Sequence, residues 1–254
     1  MKLRRRPTGI FACAISALIF HFSASAAEIT VLSSNAMTET MKEFTPQFER
    51  LTGHKLVGVY EPTNLILQRL NRGEAADVVI LLKPNLHELI KNNGVRDGSA
   101  VDVAKTGLNL AMKRGGVKPD ISTTESFRKA MLESQSIVIS KVGASGIQFK
   151  QALESLDVLK QVQPRIQEME GAGRVGGYVV DGRAQYAVQM RSELLPVEGV
   201  EVIGPLPGNL NFEIILTAGV SATAKNQAPA AELIQFLSAP AAAPTYKKTG
   251  MEPL

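Results

Sequence analysis

Three short stretches place hydroxyl and amide side chains between an apolar run and a helical pattern. They are "SSNAM" with Ser33, Ser34, Asn35 and Ala36, "EPTN" with Thr63 and Asn64, and "GASG" with Ser145 and Gly146. Small polar residues at such a junction satisfy the free N–H groups of a first helical turn. Those same N–H groups, with the helix dipole, also attract anions. For Ser33 to Asn35 the two roles are compatible: the polar residues end the strand, and the remaining N–H groups receive an oxyanion. Cations stand in comparable loops: Lys83 in "LLKPN", Arg174 in "GAGRVGG" and Arg191 in "QMRSE". An organic anion with several carboxylates would gain from them, because arginine pairs bidentately with carboxylate. The competing reading is solvated surface charge, and it weighs most for Lys83; the glycines around Arg174 let backbone and ligand approach closely. Glu61, just before Pro62, is either an ordinary loop acid or a proton carrier. No nucleophile–base arrangement is visible, which favours binding over chemistry.

The residues that precede these stretches narrow the setting. "MKLRRR" is a cationic start, "GIFACAISALIFHF" a short apolar run, and "SASA" offers small residues for cleavage after Ala26 or Ala27. The apolar run is shorter than the roughly 20 residues of a membrane span. Residues 1–26 therefore read as a signal peptide, and the mature chain is expected in the periplasm. Removing the leader takes away Lys2, Arg4, Arg5 and Arg6 and no acid, so the 28 cationic and 24 acidic residues become balanced. No basic surface is left to suggest nucleic acid or a membrane. The single cysteine, Cys13, lies in the leader, which excludes disulfides and thiolate chemistry from the mature protein. With His54 and His87 the remaining histidines, an all-histidine metal site is excluded too. The sequence calls for no metal and no cofactor.

The elements that position the polar loops follow from periodicity. "EITVLS" is a strand; Met37, Met41, Phe44, Phe48 and Leu51 then recur at helical spacing up to Gly53, with Pro46 expected to bend or displace that helix. "KLVGVY", "TNLILQRLNRG", "ADVVILL" and "PNLHELIKNNG" continue a βαβαβα series, so an open parallel sheet is expected. A second series begins with strand "QSIVISKV" and helix "GASGIQFKQALESL". It continues through a short helix in "GRVGGYVVDG" and strand "AQYAVQM" to the long strand "LNFEIILTAGV" and two alanine-rich helices. Two α/β units imply two lobes with a cleft between them. In such sheets ligands bind beyond the carboxyl ends of the strands, where "SSNAM", "YEPTN", "LLKPN", "VGASG" and "QMRSE" all fall.

Taken with the spacing of "QFERLTG", "RGEAADVVI" and the terminal "KKTG", these loops resemble the molybdate-binding-protein-like periplasmic solute-binding family over nearly the whole mature chain. The resemblance implies a two-lobed type 2 periplasmic binding fold, each lobe an open, mostly parallel sheet flanked by helices. It also implies an anion held in the cleft and handed to an ABC transporter permease, by a protein that works as a monomer. The family's first site serine falls at Ala36 and its second at Thr63. Its backbone donors match Ser145 and Gly146, and a further N–H contact falls near Val175. The tyrosine that closes over molybdate in well-known members is Met190 here. With one hydroxyl lost and the tyrosine replaced, an organic carboxylate or another oxyanion is expected as ligand. Relatives of the family include periplasmic aconitate isomerases, so isomerisation on the same scaffold is the alternative function. The expected lobes are residues 27–107 with 216–254, and 108–215. The crossings are expected near Thr106 to Leu108 and near Phe212 to Leu216.

Overall fold

The computed structural model describes residues 26–170 and 173–254; the expected leader lies outside the described residues but for Ala26. The chain runs β1 (Glu28–Ser34), α1 (Thr38–Thr52), β2 (Lys55–Glu61), α2 (Thr63–Asn71), β3 (Val78–Leu82) and α3 (Lys83–Lys91). It continues with β4 (Val101–Thr106), β5 (Leu108–Lys113), α4 (Thr124–Glu133), β6 (Ile137–Ser140), α5 (Ala144–Ser155), α6 (Leu159–Val162) and β7 (Ile166–Met169). Then come α7 (Gly176–Val180), β8 (Tyr186–Met190), α8 (Arg191–Leu194), β9 (Val200–Pro205), β10 (Ile214–Val220), α9 (Gln227–Ser238), α10 (Ala243–Lys248) and β11 (Glu252–Pro253).

Two sheets form, one per lobe. The first has the order β11-β4-β10-β3-β1-β2 and the second β7-β6-β8-β5-β9. In the first, β2, β1 and β3 are parallel, while β10 is antiparallel to both β3 and β4. In the second, β7, β6 and β8 are parallel and β5 is antiparallel to both of its neighbours. The reversed strands follow from the route of the chain. It leaves the first sheet at Thr106, enters the second at Leu108 with only Gly107 between, and returns from Pro205 to Ile214.

Both faces of the central strands are covered, as their continuous apolar runs require. On β3, Val78 and Ile80 enter one core with Ile29, Val31 and Phe44, while Val79 and Leu81 enter another with Ile66 and Leu86. The second sheet divides likewise: Ile137, Ile139 and Val188 face one core, Val138 and Ala187 the other. Helix α1 continues past Pro46, which lies inside it rather than in its first turn, and buries Met41, Phe44 and Phe48. Phe44 meets Phe236 and Tyr246 edge-on at centroid separations of 5.4 and 5.1 Å. Burying each such ring contributes about 1.5–3 kcal/mol, which fixes the C-terminal helices onto the first lobe.

A buried carboxylate ties the first lobe together. Asp77 accepts backbone hydrogen bonds from Thr30, Lys225 and Asn226 and one from the Asn226 side chain. Burial works against its charge, but these donors outweigh burial and hold its pKa below the usual carboxylate value. Asp77 thereby staples the bottom of β1 to the start of α9.

Candidate ligand-binding site

The carboxyl ends of β1, β2, β6 and β8 face one another across the gap between the lobes. Ser34, Asn35, Pro62, Thr63 and Leu82 from the first lobe line a small pocket there. Ser140, Gly143, Ala144, Ser145, Gly173, Gln189, Met190 and Glu193 complete it from the second. Its enclosed volume is about 10 Å³, room for about one water, so any larger ligand must enter as the lobes part.

The local sequence explains the donors. Ser34 is the N-cap of a single 3-10 turn, and its hydroxyl accepts from the N–H of Ala36 at 3.4 Å. Helix α2 starts after Pro62 with no side-chain cap, and the buried Oγ1 of Thr63 has no hydrogen-bond partner. Helix α5 starts after Gly143, again with no side-chain cap. The N–H groups of Thr63, Asn64, Ala144 and Ser145 at these starts lack a helical acceptor, while those of Leu65 and Gly146 bond back to Pro62 and Gly143. The positive ends of both dipoles lie beside the pocket. Glycine is required at the second of these turns. A Cβ on Gly146 would lie 1.9 Å from the carbonyl oxygen of Ser140, so only glycine lets α5 start so close to β6.

Of the residues singled out from sequence, Ser34, Asn35, Thr63, Ser145 and Met190 line the pocket. Four others lie directly behind it. Ser33 is buried and donates to the carbonyl of Ser34, Ala36 packs into the first-lobe core, Gly146 backs onto Ser140, and Asn64 follows Thr63 with a buried, unpartnered Oδ1. The expected N–H of Val175 is already engaged, donating to Oε1 of Gln189 at 3.1 Å.

The three cations do not enter the lining, and each has a structural reason. Arg174 pairs with Glu39, at the start of α1 in the opposite lobe, and Glu39 also pairs with Lys42. Lys83 pairs with Asp102 at 2.5 Å, a carboxylate that also accepts from Thr217. Arg191 is exposed, with its stem packed over Gly250. Glu61, considered as a proton carrier, is held by Arg69 through bonds of 2.6 and 2.9 Å, and that guanidinium keeps its pKa below the usual range.

The acid that does reach the pocket is Glu193. It is 5% exposed, and its Oε1 accepts from Asn35 Nδ2 at 2.6 Å and from Gln189 Nε2 at 3.0 Å. Burial pushes its pKa up to about 7, against the opposing effects of a backbone hydrogen bond from Met190, the nearby Arg174 charge and the two amides. Gln189 thus links Val175 to Glu193, and Asn35 reaches the same carboxyl from the first lobe. Glu193, Gln189 and Ser140 were not singled out from sequence. Glu193 lies in "QMRSE", a stretch placed at a strand end but read only for its arginine.

The arrangement is a hydrogen-bonding pocket between two lobes with no cation among its lining residues, with hydroxyls and helix N-termini as donors and one titratable acid. The model of the bacterial extracellular solute-binding protein family matches residues 29–252. The chain is 30% identical over 231 residues to an aconitate isomerase from Pseudomonas sp, covering 89% of this chain and 88% of that protein. It is 25% identical to the molybdate-binding protein ModA of Azotobacter vinelandii, covering 95% and 93%. The periplasmic molybdate-binding protein of Azotobacter vinelandii superposes with a TM-score of 0.74 at 19% identity, over 88% of this chain and 98% of that one. Sequence match and two-lobed architecture agree: the chain belongs to the bacterial extracellular solute-binding protein family.

Proposed function

We propose that this protein closes its two lobes over a small anion, an organic carboxylate or an oxyanion, and presents it to the permease of an ABC importer. On this reading residues 1–26 are a signal peptide, the mature protein is a periplasmic monomer, and residues 27–107 with 216–254 move as one lobe against 108–215. The observation that carries it is Thr63 Oγ1, buried without a partner beside the free N-termini of α2 and α5. A buried hydroxyl left unpaired costs about 1–3 kcal/mol, and a ligand oxygen between the lobes would recover that. The cation-free lining favours a ligand held by hydrogen bonds over one clamped by arginines. A thermal-shift screen of oxyanions and of mono-, di- and tricarboxylates tests the reading. At a ligand concentration 100 times the dissociation constant, the expected stabilisation is about 2.7 kcal/mol. Loss of that shift in Thr63→Val supports the pocket; an undiminished shift in that variant refutes it.

A second reading, aconitate isomerisation, is favoured by Glu193 and by the isomerase relative. The double bond of aconitate moves by a proton shift between two carbons. A proton leaves the methylene carbon, its C–H pair forms the new double bond, and the electrons of the old one take a proton at the far carbon. A single carboxylate that accepts the first proton and returns it to the second carbon balances the step. Glu193, with a pKa near 7, is suited to both halves. Conversion of cis- to trans-aconitate by the purified protein, lost in Glu193→Gln, would establish this reading. Binding of aconitate without conversion would leave the transport role.

A further inference from the structure

We infer that Glu193 is the specificity-determining residue of the pocket: its carboxylic acid donates a hydrogen bond to the bound anion, so that the site selects carboxylates over weakly basic tetrahedral oxyanions and takes up a proton as it binds them. This rests on the anion-binding reading of the same pocket. Among the described residues lining the pocket, Glu193 is the single titratable group. Its Oε1 already accepts two N–H bonds, from Asn35 and Gln189, so the proton is assigned to Oε2, with the Met190 backbone as its other neighbour. An anion brought against an ionised Glu193 in so small a space would meet a like charge at close range. Against the neutral acid it meets an O–H donor instead. An O–H donated to an anion is among the stronger hydrogen bonds, and it strengthens with the basicity of the acceptor oxygen. Carboxylates are far more basic than sulfate, which sets the order of preference between those two; molybdate has about the basicity of a carboxylate and is not separated by this bond.

The charged groups around Glu193 do not remove this requirement. From the loop before α7, Arg174 acts on it through space, but its guanidinium is shared with Glu39. From α1, Glu39 is itself neutralised by Arg174 and Lys42. Within α8, Arg191 is exposed and lies over Gly250. On β9, Glu201 pairs with Lys118, and β8 presents the neutral Gln189 and Met190. Ionising Glu193 in the empty pocket is therefore governed by burial, and its pKa near 7 puts the change inside the workable range.

The test is calorimetric titration of wild type, Glu193→Gln and Thr63→Val with cis-aconitate, citrate and sulfate. It is run at pH 6 and pH 8, each in two buffers of different ionisation enthalpy. The wild type is expected to bind at least one carboxylate more tightly than sulfate. Its carboxylate affinity should fall about tenfold from pH 6 to pH 8, with uptake of nearly one proton per ligand at pH 8. Glu193→Gln keeps a donor but cannot titrate, so it should bind carboxylate with no such pH dependence and no proton uptake beyond that of the ligand itself. Equal affinities at both pH values in the wild type, with Thr63→Val still weakened, would overturn the role of Glu193 and leave the pocket intact. Sulfate bound more tightly than every carboxylate would overturn the selectivity. Carboxylate binding that Thr63→Val leaves unchanged, or no binding of any probe, would overturn the pocket itself and the inference with it.

Discussion

Replacing Glu193 by glutamine should change how the empty protein's stability depends on pH, because a buried acid is a stability element as well as a ligand group. Its pKa is about 7 in the fold against an ordinary 4.5, and the cause is burial. A carboxyl raised in the fold contributes stability that is complete below its unfolded pKa and is lost as pH rises through its folded value. The whole difference corresponds to about 3 kcal/mol, most of which falls between pH 5 and pH 8. Urea unfolding of ligand-free wild type and Glu193→Gln across that interval reads the difference directly. The wild type should lose about 2–3 kcal/mol relative to the variant as pH rises from 5 to 8. Most of that loss should fall before pH 7, with a plateau above it. Parallel curves for the two proteins would refute the reasoning: Glu193 would then be solvated or ionised in the fold, and its place in the pocket would need another explanation.

Other perturbations follow from the same contacts. Arg174→Ala and Glu39→Gln break one pair that joins the lobes, so both should weaken ligand binding by a similar few-fold. A double-mutant cycle by calorimetry should give a coupling of about 1 kcal/mol; complete loss of binding in Arg174→Ala alone would mean that the guanidinium touches ligand. Asp77→Ala leaves three backbone N–H groups without their acceptor and should destabilise the protein by about 3 kcal/mol in urea. Because the Asp77 pKa is depressed, its contribution should be present at neutral pH and lost only as pH falls below about 3.8. Gly146→Ala drives a methyl into the Ser140 carbonyl and should cost more than the ~1–3 kcal/mol of ordinary overpacking, seen as a lowered melting temperature together with lost binding.

The first βαβαβα run was legible because β1 and β3 are buried on both faces and α1 carries a clean apolar stripe. Strands β4, β5, β7, β9 and β11 and helix α4 escaped notice in the sequence. "VDVAKT" and "VEVIGP" alternate over only three or four residues and their faces are only partly buried, too short a signal to stand out. The reversed directions of β5 and β10 depend on where the chain changes lobe, which no local pattern encodes. In the pocket, the strand-end hydroxyls could be read because a helix start after an apolar run has few other uses for them. The cations could not, because what decides their role is a partner far away in sequence. Glu39 lies 135 residues from Arg174, and Asp102 lies 19 from Lys83. Glu193 was hidden for the converse reason. "RSE" reads as a solvated turn, and its burial arises only when α8 packs against α1 and the turn after β1 in the other lobe.

The claim at the centre is that an anion sits between Thr63 and the start of α5, and a crystal structure of the protein with the tightest ligand from the thermal-shift screen tests it most directly. One ligand oxygen is expected within about 3.2 Å of Thr63 Oγ1 and another within the same distance of the Ser145 N–H, with Glu193 within hydrogen-bond reach of the ligand. A ligand held instead by Lys83, Arg174 or Arg191, or bound outside the gap between the lobes, would contradict it.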